Sequence, residues 1–104
     1  MKFKQGVSIR GLREEMHFAL GQIDAAANSM TPTYVPTCTS GVDGKHSPTS
    51  LHYDGRAVDI RTRDLPPESV DEFEWRIRAH LSDDYDVVLE RDHIHVEWQP
   101  KRPS

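Results

Sequence analysis

Two short stretches carry the chemistry of this chain: Ser50-Leu-His52-Tyr-Asp-Gly55-Arg-Ala57-Val-Asp59, and Asp92-His93-Ile-His95. Two imidazoles and one carboxylate drawn from separate segments make the donor set of a catalytic zinc site, because three nitrogen and oxygen ligands leave a fourth position open to a water that the metal acidifies. A structural zinc site would normally close all four positions, often with thiolates, and the only cysteine here is Cys38. The chemistry implied is hydrolysis at zinc (Zn2+).

The spacing within each stretch supports one shared site. Alternate residues of a strand point to the same side, so His93 and His95 share a face, with Cα atoms roughly 7 Å apart. Glu97 continues that row, either orienting a ligand or facing solvent, while Ile94 and Val96 take the apolar side. Only one of the two histidines need bind. Asp59 projects beside the small Ala57, and Gly55 permits the sharp chain path that brings His52 back toward it. Without a cation, such inward-facing polar groups would each cost roughly 1–3 kcal/mol in desolvation.

The elements that must position these residues are legible from periodicity. Leu12, Met16, Ala19, Leu20, Ile23 and Ala27 recur at helical steps, predicting an amphipathic helix over 8–29. Tyr34 to Ser40 reads as a strand with an irregular start at Pro36, and Arg56 to Arg61 as a strand with Val58 and Ile60 on one face. Gly41 to Ser50 reads as a loop. Pro66-Pro67 opens a second helix with an apolar stripe of Val70, Phe73, Ile77 and Leu81. Val87 to Leu89 and His93 to Trp98 flank a polar turn as a hairpin, and the tail from Pro100 is expected to fray. The expected fold is α+β, with two helices packed on a small antiparallel sheet.

Composition narrows the function classes. At 104 residues the chain makes one domain near the small end of what buries its own core, and a bound ion would tie distant segments together. A net charge of -4 argues against a nucleic-acid partner. Basic residues gather at Arg61/Arg63 and Lys101-Arg102, but acidic neighbours interrupt them, which reads as a mixed solvated surface. One cysteine excludes an internal disulfide framework, and Cys38 reads as a small buried strand residue. No apolar leader or transmembrane-length run is visible, so cytoplasmic synthesis without membrane insertion is expected. His17 and His80 are expected at the surface, and Tyr53 and Trp98 either lining the cleft or, on the plainer reading, in core or rim packing.

Ser50-x-His52-x-x-Gly55-x-Ala57-x-Asp59 followed by His93-x-His95 resembles the zinc D-alanyl-D-alanine metallopeptidases, which include D,D-carboxypeptidases, D,D-dipeptidases and phage L-alanyl-D-glutamate endolysins. That family shares its fold with the hedgehog signalling domain, and the likeness runs from about Thr39 to Trp98. The resemblance implies that His52, Asp59 and His95 bind zinc. It makes Asp92, three positions before the last ligand, the general base; the plainer reading of Asp92 is a hairpin-turn aspartate. His93, similar to the first histidine of the H-x-H motif in lysostaphin-like enzymes, is the second candidate base or a donor to the transition state. Ser50 either touches substrate or braces the His52 loop.

The upstream Arg that carboxypeptidase relatives use to hold substrate has no counterpart here. Lys45 or His46 takes its place, although Lys lacks the bidentate fork. The implied activity is cleavage of amide bonds in peptidoglycan stem peptides by a monomer, on the cell wall after release or phage delivery. Two alternatives accompany it: a catalytically silent zinc-binding virion domain, and a cytoplasmic D,D-dipeptidase.

Overall fold

The computed structural model of the chain describes residues 1–43 and 51–100. In chain order these form β1 (Lys2–Phe3), α1 (Glu14–Met30), β2 (Thr37–Ser40), β3 (Ala57–Arg61), α2 (Pro67–His80), β4 (Tyr85–Leu89) and β5 (His93–Trp98). The strands make one sheet in the order β1-β2-β3-β5-β4. The α+β class expected from periodicity is the one observed, but the sheet is mixed, not purely antiparallel: β1 runs parallel to β2, and every other pair is antiparallel. Two exposed residues have no hydrophobic alternation to read, and β1 is held instead by backbone bonds, Lys2 N–H to the Pro36 carbonyl at 2.8 Å and Lys4 N–H to that of Cys38 at 2.9 Å.

Alternation along the central strands decides what each sheet face does. Val58 and Ile60 on β3 pair with Val96 and Ile94 on β5, and all four are fully buried beneath Met16 and Ile23 of α1 and Phe73 and Ile77 of α2. The intervening residues, Ala57, Asp59 and Arg61 against Glu97, His95 and His93, occupy the opposite face. One face therefore forms the core and the other is free for polar side chains. Cys38 is fully buried on the core side, and burial pushes its thiol up to about 12, which leaves it unreactive.

Helix α1 begins at Glu14, not at residue 8. Gly11 is in the left-handed region at φ 83°, and Arg13 is extended, so the backbone turns there instead of coiling. Residues 8–13 serve as a strap. Ser8 N–H donates to Asp43 Oδ1 at 2.8 Å, its carbonyl accepts from Val42 N–H at 2.8 Å, and Arg13 N–H donates to the Gly55 carbonyl at 2.9 Å. Helix α2 opens at Pro66-Pro67, where a missing N–H is harmless, and carries Glu72–Arg76 and Glu74–Arg78 ion pairs on its outer face.

Gly55 is fixed in type by two constraints. Its φ is +71°, and a Cβ there would lie 2.3 Å from the Gly11 carbonyl oxygen. Gly55→Ala is expected to destabilise the protein by ~1–3 kcal/mol and to displace the turn that carries His52, measurable by chemical denaturation. Denaturation indistinguishable from wild type would show that strap and turn move freely apart.

Candidate metal centre

His52, Asp59 and His95 converge on the helix-free face. Asp59 and His95 are direct partners across β3 and β5, so strand pairing alone sets them side by side. His52 arrives from the 51–55 turn and is 2% exposed. Asp59 Oδ1 lies 2.9 Å from His95 Nδ1 and 3.2 Å from His52 Nε2, and the two ring nitrogens are 3.3 Å apart. Ligand atoms held about 2.0–2.1 Å from a common tetrahedral zinc would stand about 3.3 Å from one another. The observed triangle fits that size.

The outer partners explain why these atoms suit a cation. His52 Nδ1 is 2.7 Å from the Gly41 carbonyl, which can only accept, so that nitrogen carries the proton and a neutral ring presents a bare Nε2. His95 Nε2 is 2.8 Å from Glu97 Oε1, which in the same way leaves Nδ1 bare. Two nitrogen lone pairs and a carboxylate oxygen are thus aimed at one another. A cation resolves the conflict. Backing a ligating imidazole with a carbonyl or carboxylate is the usual way such rings are oriented and made more basic.

In a metal-free chain a proton serves as the bridging cation. The Asp59 carboxylate beside it, assisted by Glu97, raises the His95 imidazole to about 9 against the opposing effect of burial. Burial alone would raise Asp59, but the His52 and His95 imidazoles against it hold it well below the ordinary carboxylate range. The signs differ for the two groups. The His95 contribution to stability is complete below its unfolded value near 6.5 and is lost as pH rises through 9. The Asp59 contribution is present above its ordinary value of 3.8 and is lost as pH falls below it. Metal-free protein should therefore be most stable between these limits, and zinc uptake at neutral pH should release about one proton, falling toward none above pH 9. Calorimetry in buffers of different ionisation enthalpy measures that release. Glu97→Gln should weaken zinc binding roughly 10–100-fold while leaving the ligands intact.

His93 adjoins this centre. It pairs with Arg61 across the strands, its Nε2 is 3.8 Å from Asp59 Oδ1 and 3.6 Å from Glu90 Oε1, and its Nδ1 is 2.8 Å from Asp92 Oδ1. Asp92 is 73% exposed at the side chain, and the hydrogen bond from His93 lowers its pKa. The structure brings Asp92 to His93 rather than to the three converging donors.

The remaining sequence expectations divide. Ser50, His46 and Lys45, expected at the substrate, lie outside the described residues, as does the tail beyond residue 100. Glu97 faces His95 instead of solvent. Trp98 packs against the core edge with the Arg56 guanidinium 5.5 Å over its ring, whereas Tyr53 is 46% exposed. His17 is exposed, and half-buried His80 bonds the Arg76 carbonyl. The Gly41 carbonyl was invisible to residue-type reasoning, because a backbone acceptor has no signature of its own.

A five-stranded mixed sheet with two helices and a His-Asp-His group that could hold a metal is consistent with the hedgehog domain fold, which belongs to the zinc peptidase-like fold superfamily. Within it, the chain belongs to the family of the Hedgehog amino-terminal signalling domain, whose model matches residues 35–97, more than half of the sequence. That match covers β2 through β5, including all three converging residues. No curated protein matches the chain. Among the described residues, no helix is long and apolar enough to cross a membrane.

Proposed function

We propose that this chain is a zinc-dependent hydrolase of peptide amide bonds, with peptidoglycan stem peptides as its substrate class. The observation that carries the reading is the aim of three donor atoms, the two imidazoles fixed from behind, at one point on the face of the sheet opposite the helices. His52 Nε2, Asp59 Oδ1 and His95 Nδ1 would hold the ion. Bound there, zinc would supply a Lewis acid and an acidified water.

The chain's own acid–base work falls to His93. With Nδ1–H donating to the Asp92 carboxylate, Nε2 is the ring nitrogen left as proton acceptor on the side of Asp59. Asp92, kept ionised by His93, is a weak base and a good anchor for that ring. The base role that resemblance attaches to Asp92 is thereby better filled by His93, with Asp92 orienting it. His93 could then return the proton to the leaving amine.

Stem peptides as substrate rest on the resemblance of the Ser50–Asp59 and His93–His95 stretches to peptidases acting on D-amino-acid peptides. The bond is either L-alanyl-D-glutamate or D-alanyl-D-alanine, and wall access follows release or phage delivery. Digesting purified peptidoglycan and free D-alanyl-D-alanine in parallel, with fragments identified by mass, tests this. Products should vanish with a chelator and return with zinc. No fragments from either substrate would reject it.

A second reading is favoured by the family match to a signalling domain. On that reading the chain holds its ion for structure and partner recognition and performs no turnover. Stoichiometric zinc with neither substrate cleaved is its signature.

A further inference from the structure

Arg61, Arg63 and Lys4 are scattered in sequence but line one cleft of about 210 Å³, together with Thr39, Asp92 and His93. Arg61 follows Asp59 by two strand positions on the same face, roughly 7 Å further along, and it is the cross-strand partner of His93. The cleft therefore opens beside the metal centre, with His93 as the shared wall. Three cations face one carboxylate there, in a chain whose net charge is -4. That carboxylate, Asp92, is already engaged by His93. Among the described residues none of the three cations makes an ion pair, whereas Arg13, Arg56, Arg76 and Arg78 all do. An excess of uncompensated guanidinium around a concavity makes an anion site, and the planar fork of Arg matches a carboxylate. Arg63 is exposed and Arg61 half-buried, as a solvated surface would have them, and the fold adds Lys4, just after β1, to the same cleft.

We infer that Lys4, Arg61 and Arg63 form a carboxylate-binding subsite adjoining the metal centre, which selects peptides bearing an acidic group within about one residue of the bond presented to that centre. The inference rests on the amide-hydrolase reading for the position of the bond, but binding itself needs no turnover. The subsite takes a side-chain or terminal carboxylate of an extended peptide lying across β3 and β5.

The test titrates the zinc-loaded chain with acetyl-Ala-Glu and with its neutral counterpart acetyl-Ala-Gln-amide, following binding by calorimetry and cleavage by mass. The acidic peptide should bind about tenfold more tightly, and Arg61→Gln combined with Arg63→Gln should remove that preference without changing affinity for the neutral peptide. Lys4→Gln should have a smaller effect, since a flexible ammonium contributes charge without the fork. Zinc content and melting temperature show that the variants are folded; Arg63→Glu, on the exposed rim, gives the same readout if the double variant fails to fold. Equal binding of the two peptides overturns the subsite, as does a preference that survives in the variants. Displacement by inorganic phosphate at the same affinity as the acidic peptide also overturns it, in favour of an unselective anion patch. A chain that prefers the acid but cuts nothing keeps the subsite and loses the hydrolase; a chain that cuts both peptides alike does the reverse.

Discussion

Asp59→Asn is expected to lower zinc affinity on the order of 10³-fold, measured by competition with a chromophoric chelator. Asp59 supplies the only anionic donor of the three, and its Oδ1 touches both ring nitrogens. The amide keeps the volume of the carboxylate, so loss of packing cannot account for the effect. It removes the charge that offsets the ion and can turn an N–H toward two bare nitrogens. The same variant should lose the rise in melting temperature that zinc gives wild type, since a ligand held by the native state alone stabilises by ~4 kcal/mol at 1,000 times its dissociation constant. In metal-free protein the substitution should also bring the His95 imidazole down from about 9, because the partner that raises it is gone. An unchanged affinity would mean that the ion sits elsewhere, and the hydrolase reading would fall with it.

The parts of the molecule that sequence made legible are those where one residue's environment follows from its neighbours in the chain. Val58 and Ile60 alternate with Ala57 and Asp59, and Ile94 and Val96 alternate with His93 and His95, so each strand's two faces could be read before their pairing was known. The register that sets Asp59 opposite His95 was not legible, because it depends on which strands meet. Contacts made by backbone were equally hidden. The two-residue β1, the strap at 8–13 and the Gly41 carbonyl behind His52 carry no pattern of side-chain types. The helix expected from residue 8 shows the opposite failure: Leu12 continues the apolar stripe, but the left-handed Gly11 and the bond from Arg13 to Gly55 win over periodicity. The grouping of Lys4 with Arg61 and Arg63 was hidden for a related reason. Charge interruption along the chain says little about charge in space when one of the three residues comes from the other end of the sheet.

Separating Asp92 from His93 has the second largest expected effect. His93→Ala should reduce kcat on stem peptides by about 10²–10⁴-fold with zinc content unchanged, the usual contribution of a positioned acid–base group. Asp92→Asn should cost less, about tenfold, because it removes only the partner that fixes the tautomer of a ring still standing beside Asp59. The two losses should not add: once His93 is gone, Asp92 has nothing to orient, so the double variant should match His93→Ala. If Asp92 were itself the base, the order would invert, with Asp92→Asn the severe variant and His93→Ala the mild one. The geometry favours the first outcome, since Asp92 Oδ1 is 2.8 Å from His93 and its side chain is largely in solvent, while His93 Nε2 faces the converging donors. Equal, additive losses would show that the two residues act independently, and the orienting role of Asp92 would fall.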